Sequence, residues 1–351
     1  MHVVILGGGL SGLTTAYLLQ SHPVKISILE GRDRLGGRIW TKLLAGNTRA
    51  EAGATWFTKS HTHLAALLAE LNIGDFAQHV SGTSLLASAF DGTAEQFQVP
   101  ESEPASFRIK GGSSTLIQAL AGAIDGIDIQ LSTPVASITF GEKGCALYTS
   151  AGAMVEADLV VSTLPPRMLA HTVALSPGPP KQWFDVATNT QTWMGNAAKF
   201  YVAYKHPFWR DKGFSGMAFG HGGIIPEMYD HASDDETSFA LKGFLGPQVY
   251  ALSPNARRDA VLQQLSMYFG AEAKEVLEYG DILWGNDPFA RVATGPELMP
   301  HQNNGHPLLR QPLYERRLIV SGAETASMYA GYMDGAVRAA RHAASQVLAH
   351  L

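Results

Sequence analysis

Cysteine and charged residues are both scarce in this sequence. Cys145 is the single cysteine among 351 residues, which excludes a disulfide framework and a cysteine-based zinc site and suits a reducing compartment. Charged residues make up 16%, against ~25% in an average globular chain, which excludes a disordered protein and predicts a large buried core. The 26 Lys and Arg against 31 Asp and Glu give a net charge of −5, so we expect no nucleic-acid partner.

Long apolar runs and several catalytic motifs are also missing. No apolar run reaches the ~18 residues that span a bilayer, and a strand predicted from His2 leaves no room for a signal peptide. We therefore expect a soluble, cytoplasmic protein without a membrane partner. The sequence lacks G-x-S-x-G, H-E-x-x-H and P-loop signatures. His61 and His63 have the wrong spacing for a helical metal pair, so we expect both at the surface and no metal site.

Glycine, in contrast, is abundant, with 36 residues, and its first cluster lies in an ordered pattern. A β-branched run, His2–Leu6, predicts a buried parallel strand and leads into Gly7-Gly-Gly-Leu-Ser-Gly12 and then a helix. A second apolar strand over residues 24–29 ends at Glu30. A strand, a glycine turn, a helix, a strand and an acid within ~30 residues are typical of a dinucleotide-binding unit.

Each part of this unit has a physical role. Gly7 allows a tight turn, Gly9 allows backbone N–H groups to approach a pyrophosphate, and Gly12 lets the helix pack on the strand. The helix N-terminus adds partial positive charge for the phosphates. Glu30 is placed to accept hydrogen bonds from ribose hydroxyls and repels a 2′-phosphate, so NADP is disfavoured, whereas FAD and NAD both fit. The predicted contacts are Gly7, Gly9, Leu10, Ser11, Gly12 and Glu30.

The next residues carry a resemblance to a known family. Glu30-Gly-Arg-Asp-Arg-Leu-Gly-Gly-Arg38 closely resembles the E-x-R-x-R-x-G-G-R sequence of the flavin-dependent monoamine oxidases and their relatives. The resemblance implies that the cofactor is FAD. Gly37 and its neighbouring glycine let the chain pass close to a second phosphate, which Arg32 or Arg38 can neutralise.

The resemblance continues through much of the chain and implies further cofactor contacts. Residues 51–57 are similar to the family segment that passes the flavin ring, residues 132–135 to the strand that meets the adenine, and residues 279–284 to a strand that brings a tryptophan toward the flavin. Residues 317–336 closely resemble the family's G-x-E-T … G-Y-M-x-G-A ending, where a helix N-terminus stabilises negative charge on the reduced ring. The implied contacts are Gly53, Ala54, Thr55, Trp56, Val135, Trp284, Glu324, Tyr332, Met333 and Ala336.

One lysine is the predicted catalytic residue. The residues around Lys199 alternate as a strand, with Lys199 and Tyr201 on one face and Phe200 and Val202 on the other. Burial would depress the pKa of a lysine in such a strand. The segment is similar to the family stretch whose lysine holds a water against flavin N5, which implies that Lys199, and not Lys205, takes this role. The alternative is a solvent-exposed lysine that protects a sheet edge.

The sequence departs from the family in three places. Members with covalent FAD carry a cysteine after the position of Trp284, which this segment lacks, so we expect non-covalent FAD. Amine-oxidising members frame the substrate with two aromatic side chains; Tyr332 keeps one, whereas the other position falls at Thr294 or Ala293. Residues 76–110 are too short for the usual helical substrate cap, so we expect a more open pocket. The expected substrate contacts are Trp56, Tyr332, Thr294 and Phe289.

The predicted fold is α/β, with two discontinuous domains. A Rossmann-like FAD-binding domain is expected on a parallel sheet, and an inserted α+β substrate domain on a mixed or antiparallel sheet. We assign residues 1–75, 106–166 and 285–351 to the FAD-binding domain, and residues 76–105 and 167–284 to the substrate domain with a reduced helical cap.

The resemblance implies an FAD-dependent oxidoreductase that acts on a small molecule. It would oxidise a C–H next to nitrogen by hydride transfer to flavin N5, with reoxidation by O2. Another flavoenzyme of this fold is an alternative: an amino acid oxidase, with Arg291 as the candidate for the substrate carboxylate, a desaturase, or an NAD(P)H-linked oxidoreductase. A non-catalytic FAD-binding protein is a further alternative. The substrate, the electron acceptor and the oligomeric state stay open.

Overall fold

The computed structural model describes residues 1–87, 94–99, 105–220 and 222–351. Part of the predicted substrate-domain segment 76–105 therefore lies outside the described residues. The described β strands are β1 His2–Leu6, β2 Lys25–Leu29, β3 Thr41–Leu44, β4 Thr48–Glu51, β5 Asp75–Ala77, β6 Thr83–Ala87, β7 Ala94–Gln98, β8 Phe107–Ile109, β9 Asp128–Gln130, β10 Val135–Gly141, β11 Gly144–Thr149, β12 Met154–Ala157, β13 Leu159–Ser162, β14 Ala174–Ser176, β15 Ala198–Tyr204, β16 Phe214–Gly220, β17 Glu227–Asp230, β18 Phe239–Leu245, β19 Glu278–Leu283 and β20 Leu318–Val320.

The same parts of the chain form eight α helices, joined by loops and short 3₁₀ turns. None of these helices is both long and apolar enough to cross a membrane. They are α1 Leu10–Leu19, α2 Thr62–Glu70, α3 Ser114–Ala123, α4 Pro166–Thr172, α5 Lys181–Thr188, α6 Phe208–Asp211, α7 Pro254–Phe269 and α8 Met333–Leu348.

A five-stranded parallel sheet contains the first two strands of the chain. Its strand order is β20-β13-β1-β2-β9. Strand β1 lies in the centre, with Val4 opposite Val160 of β13 on one side and Ser27 of β2 on the other. Because β1 is buried on both faces, its residues form an uninterrupted apolar run. The predicted strand, turn, helix and strand are confirmed as β1, α1 and β2.

Helices and a second sheet cover the two faces of the parallel sheet. On one face, Ile5 packs in a cluster with Leu13 of α1 and Val337 of α8, to which α2 and α3 also contribute. On the other face, Val4 packs in a cluster with Leu147 of a four-stranded sheet whose order is β12-β11-β10-β14. The parallel sheet is therefore the middle layer of three.

Helices α4 and α5 follow one predicted domain boundary and pack with the four-stranded sheet. One segment of the predicted FAD-binding domain ends at residue 166. Leu169 of α4 and Trp183 of α5, which follow it, are buried in the cluster beneath the four-stranded sheet. Strand β14 also pairs with β10 of that sheet. Pro166, where the boundary was predicted, begins α4 as a first-turn proline. The division into two domains stays a prediction.

A seven-stranded sheet contains the strand that bears Lys199, the predicted catalytic residue. Its order is β19-β15-β18-β17-β16-β6-β7, and each pair is antiparallel except β16 with β6, which confirms the predicted mixed sheet. On one face, Phe200 packs with Val261 of α7. On the other, Tyr201 packs with Ala50 of the β3–β4 hairpin. The alternation predicted for β15 is therefore confirmed.

The first glycine turn holds β1 and α1 close together. Gly7 has a φ of +100°, in the region that strains residues with a Cβ. A Cβ at Gly12 would lie 2.0 Å from the carbonyl oxygen of Gly7 and 3.3 Å from Ile5. These two glycines therefore fix the position of α1 against the parallel sheet.

We expect Gly12→Ala to destabilise the protein by about 2 kcal/mol or more, because the turn must move away from the helix. Gly122→Ala is the matched control, since Gly122 lies in α3 with open space around its missing Cβ. Alanine at that position should stabilise the protein by about 0.5–1 kcal/mol. Urea denaturation measures both changes, and a wild-type unfolding free energy for Gly12→Ala would contradict the constraint.

Candidate active site

A groove opens at the carboxyl ends of β1 and β2, where parallel sheets bind ligands. The glycine turn lies against the second glycine pair, since the N–H of Gly36 donates to the carbonyl of Gly8 at 2.9 Å. Gly12 packs behind the turn, and Val135 lines a hollow that continues from Gly7. The predicted residues that line the groove are Gly7, Gly9, Leu10, Ser11, Glu30, Arg32, Gly37, Arg38, Tyr332, Met333 and Ala336.

The start of helix α1 has the chemistry that a pyrophosphate requires. Gly9 is the N-cap residue, so no side chain caps the first N–H groups of the helix. No acidic residue lies in the first turn. A helix N-terminus of this kind attracts phosphate groups through its free N–H donors and its partial positive charge. The groove therefore fits the phosphates of a dinucleotide.

Glu30 is held in a fixed orientation at the end of β2. Its side chain is buried, with Oε2 accepting the N–H of Gly8 at 2.6 Å and Oε1 accepting the N–H of Arg32 at 2.8 Å. A carboxylate has about four acceptor positions, so Glu30 can still accept from ribose hydroxyls. The geometry supports the predicted ribose contact.

The two arginines predicted to face phosphate each form an ion pair. Arg32 donates from Nη2 to both carboxylate oxygens of Asp287 at 2.9 Å. Arg38 donates from Nη1 and Nη2 to the fully buried carboxylate of Glu324, at 2.5 and 3.1 Å. Both arginines line the groove. The ion pairs therefore orient the two arginines, and they also reduce the positive charge available to a phosphate.

Phe289 lines the groove at the ends of β1 and β2 instead of contacting a substrate in the larger cavity, as we had expected. The guanidinium carbon of Arg32 lies 5.2 Å from the centroid of its ring, and the ring occupies the place of a Cβ on Gly31. Phe289 lines the groove and the hollow beside Val135. The reason is the ion pair of Asp287 with Arg32, which holds this segment against the end of β2.

A larger cavity, of about 570 Å³, adjoins the groove. Ala54, Tyr332 and Met333 line both spaces, so they meet at the first turn of α8. No side chain caps the N-terminus of α8, and its partial positive charge lies at this junction. The predicted residues that line the cavity are Gly53, Ala54, Thr55, Trp56, Lys199, Trp284, Tyr332 and Met333.

Lys199 lies on the floor of the cavity, on the interior strand β15. The residue is 4% exposed, and its Nζ donates to the carbonyl oxygen of Gly53 at 2.6 Å. Burial lowers the pKa of Lys199 to about 8, although Glu51 and Glu227 act in the opposite direction. Pairing of β15 on both sides excludes the edge-protecting alternative. Lys205, just beyond the strand, is exposed.

Glu227 is a cavity residue that the sequence analysis missed. Phe244 of β18 lies opposite Lys199 on one side and opposite Glu227 of β17 on the other, so the three side chains form a row on one face. Burial raises the pKa of Glu227. Among the described residues that line the cavity, Glu227 is the one carboxylate.

Lys242 is a second buried lysine that the sequence analysis missed. It lies on β18 between Tyr201 and Tyr229, is completely buried, and donates from Nζ to Oγ1 of Thr55. Burial, together with the nearby positive charge of Lys199, lowers the pKa of Lys242 far below its ordinary value. A signal was present in the sequence, because one lysine interrupts an apolar strand over residues 239–245, as in β15.

Two tryptophans form walls of the cavity. The indole N–H of Trp56 donates to Oε1 of Gln78 at 2.7 Å, and that of Trp284 donates to the carbonyl of Ala52 at 2.9 Å. Both tryptophans line the cavity. Because their polar atoms already have partners, these residues present apolar surface to a substrate.

Thr294 lies outside the cavity, which corrects its expected role. It is exposed in a loop, where its carbonyl lies 3.5 Å from the guanidinium of Arg167. The aromatic neighbour of Tyr332 in the cavity is Trp193, at 5.6 Å between ring centroids, and His301 stacks on Trp193 at 3.8 Å. Trp193 comes from the segment before β15, so its place beside Tyr332 depends on the folded chain.

His61 is buried, contrary to its expected place at the surface. Its ring lies against Tyr329 at 4.5 Å and Tyr332 at 5.7 Å. Helix α2, which follows His61, packs in the same cluster as α8. This packing brings the histidine under the start of α8 as a supporting residue.

The fold and the site define a flavoprotein oxidoreductase: a dinucleotide groove on a parallel sheet opens into an apolar cavity with a buried lysine. The family model described as flavin containing amine oxidoreductase matches residues 10–109 and 76–348. The chain belongs to this family.

Similar proteins agree with this assignment. The Mycobacterium tuberculosis protein AofH, named as a flavin-containing monoamine oxidase, is 26% identical over 99% of this chain and 97% of its own. Putrescine oxidase of Kocuria rosea is 24% identical over 99% of this chain and 95% of its own. The structure of cyclohexylamine oxidase from Brevibacterium oxydans has the same fold, with a TM-score of 0.85, 21% identity and 99% coverage of both chains.

Family membership confirms the predicted resemblance, the fold class, the FAD cofactor and the enzyme class. The protein is an FAD-dependent oxidoreductase of the amine oxidase type. The roles of individual residues stay predictions, with Phe289 and Thr294 placed elsewhere by the structure.

We expect Lys199→Met to flatten the pH dependence of stability. The lysine has a pKa near 10.5 when unfolded and about 8 when folded, so wild-type stability falls as pH is lowered from about 10.5 to about 8, by about 3 kcal/mol. Chemical denaturation across this range measures the change. Lys205→Met, which replaces an exposed lysine, is the control, and a wild-type slope in Lys199→Met would contradict the buried amine.

Proposed function

We propose that the protein oxidises small primary amines with non-covalently bound FAD, which O2 then reoxidises. The observation that carries the proposal is the meeting of the dinucleotide groove with the apolar cavity beside Lys199. When bound, FAD supplies the acceptor for a hydride equivalent from the C–H next to nitrogen. The chain itself binds the amine, orients it and keeps it neutral.

The cavity walls favour the neutral amine. Trp56, Met217 and Phe244 line the cavity with apolar groups, and desolvation lowers the pKa of a bound ammonium group. A neutral amine has the lone pair that assists loss of hydride from the neighbouring carbon. Lys199 holds the carbonyl of Gly53 and so fixes the segment that lines the inner end of the cavity.

Non-covalent attachment is supported by the position of the one thiol. Cys145 is buried on strand β11 of the four-stranded sheet, with its Sγ 4.0 Å from the carbonyl oxygens of Asp158 and Arg317. Burial raises the pKa of Cys145 to about 11, so its thiol is a poor nucleophile. A single buried thiol also suits the reducing cytoplasm that we propose as the location.

The charges of the cavity favour an amine over an amino acid. A substrate carboxylate needs a free cation, but Arg38 is paired with Glu324, and Arg291 lines a separate hollow. Lys199 donates to a carbonyl oxygen instead. Glu227 on the cavity wall would repel a carboxylate.

Glu227 supports a substrate with a second positive charge. The row from Lys199 through Phe244 to Glu227 spans two strand spacings, about 10 Å. A diamine whose reactive end lies near Lys199 could therefore place its second ammonium group beside this carboxylate. The similarity to a protein named putrescine oxidase supports the same preference.

We expect the purified protein to be yellow and to release its flavin on acid precipitation. Anaerobic mixing with n-butylamine should bleach the flavin absorbance, whereas NADH and L-leucine should not. Bleaching by L-leucine alone would replace the proposal with an amino acid oxidase. A colourless protein that cannot be reconstituted with FAD would be inconsistent with the cofactor assignment.

We expect Glu227→Gln to raise the KM for 1,4-diaminobutane by about 10–100-fold, since a hydrogen bond to a charged group contributes ~1.5–3 kcal/mol. The KM for n-butylamine, which has no second charge, should stay within about twofold of wild type. Steady-state oxygen consumption measures both constants, and Glu275→Gln, at an exposed residue, is the control. An equal change of KM for the two amines would show that Glu227 does not bind the second ammonium group of the diamine.

A further inference from the structure

The hollow beside Val135 continues the cofactor groove and has a volume of about 180 Å³. Gly31 and Phe289 line both the groove and this hollow, so the two spaces are continuous. At its other end the groove meets the substrate cavity, where Tyr332 and Met333 line both spaces. The three spaces therefore lie in a row, with the groove in the middle.

This order indicates how FAD lies along the row. The N-terminus of α1 in the groove suits the pyrophosphate, and the flavin ring must reach the substrate cavity, where Lys199 lies. The adenosine half is then left for the end formed by Glu30 and the hollow. Leu29, Val135 and Leu164 line this hollow with apolar side chains, which suit a flat aromatic base.

Phe289 forms part of the wall where the groove meets the hollow. Its ring lies against the backbone of Gly31, where an added Cβ would lie 2.5 Å from the ring. The guanidinium carbon of Arg32 lies 5.2 Å from the ring centroid. The ring therefore packs against both residues that follow Glu30.

An ion pair holds Phe289 in this place. Arg32 donates from Nη2 to both carboxylate oxygens of Asp287 at 2.9 Å, and from Nε to Oδ2 at 3.3 Å. The Oδ1 atom of Asp287 also accepts the backbone N–H of Phe289 at 2.8 Å. The side chains of Arg32 and Asp287 are only 12% and 20% exposed. One carboxylate thus joins the loop after β2 to the residue that forms the wall.

The same contacts favour a supporting role for Arg32 over a phosphate contact. An arginine that binds phosphate well offers it two parallel N–H donors, whereas Nε and Nη2 of Arg32 both donate to Asp287. The neighbouring carboxylate would also repel a phosphate. The carbonyls of Glu30 and Arg32 accept the N–H groups of Thr133 and Ser132, both at 2.8 Å. Arg32 is therefore part of an anchored loop that can position Phe289.

We propose that Phe289, held by the ion pair of Asp287 with Arg32, is the wall against which the adenosine half of FAD binds. Phe289 is then a cofactor-binding residue, whereas Arg32 and Asp287 are positioning residues that act through it. The inference rests on the non-covalent FAD of the proposed function, because only then do such contacts decide how long the cofactor stays bound.

The first test measures how fast FAD leaves the holoenzyme. Wild-type and variant holoenzymes are diluted, and the rise in flavin fluorescence follows the release of FAD. We expect Phe289→Ala to release FAD about 10–100-fold faster, because an apolar contact is lost. Asp287→Asn and Arg32→Met should each release it about 10-fold faster, because the ring loses its support. Phe184→Ala and Asp185→Asn, at exposed residues of α5, are the matched controls and should match wild type.

Asp287→Asn separates the two roles of Arg32, because they predict opposite changes. If both residues only support the wall, the double variant Arg32→Met/Asp287→Asn should release FAD within about twofold of either single variant. If Arg32 instead neutralised a phosphate, removal of the competing carboxylate would slow the release. Arg32→Met would then also accelerate release in the Asp287→Asn background. Slower release from Asp287→Asn, or additive effects in the double variant, would overturn the proposal.

A second test distinguishes a local wall from general damage. The full-length apoprotein is titrated calorimetrically with ADP, which carries the adenosine half, and with FMN, which carries the flavin half. We expect Phe289→Ala to weaken ADP binding about 10-fold or more and to leave the affinity for FMN within about twofold. Equal losses for ADP and FMN would overturn the proposal. A wild-type protein that keeps its flavin through acid precipitation would overturn the non-covalent attachment of the proposed function instead.

Discussion

The ion pair between Arg38 and Glu324 is the interaction on which the active site depends. The fully buried carboxylate accepts from Arg38 at 2.5 Å and from the backbone N–H of Trp193 at 3.0 Å. These residues come from the segments that follow β2, precede α8 and precede β15. A buried carboxylate without its partner costs about 3–5 kcal/mol, so the pair holds three distant segments together where the groove meets the cavity.

The two buried lysines destabilise the fold, whereas the ion pair stabilises it, because burial of each amine costs folding free energy. Lys199 and Lys242 lie on neighbouring interior strands. The carboxylate of Glu51 offsets part of the charge of each lysine, and Glu227 also acts on Lys199. The apolar cluster on the other face of the same sheet, which includes Phe200 and Leu265, supports this arrangement. Perturbed groups of this kind concentrate at functional sites, and here both contact the segment that lines the end of the substrate cavity.

Local patterns predicted the parts of the fold whose role is set within a few residues. The turn from Gly7 to Gly12 and the alternation around Lys199 were identified correctly, since glycine geometry and strand periodicity act over short distances. Phe289 was misplaced because its segment is held by the ion pair of Asp287 with Arg32, and Thr294 because its loop lies against Arg167. Both contacts join residues far apart in the chain. No local pattern encodes such a pair.

The sequence by itself determined the dinucleotide unit, the FAD cofactor, the buried strand that bears Lys199 and the helix start at Tyr332. These follow from spacing and from a resemblance carried by short motifs. The tertiary structure alone decided that Glu227 faces the cavity and that Lys242 binds Thr55. The physical reason is strand pairing: β18 lies between β15 and β17, and only that register brings residues from three separate segments onto one wall.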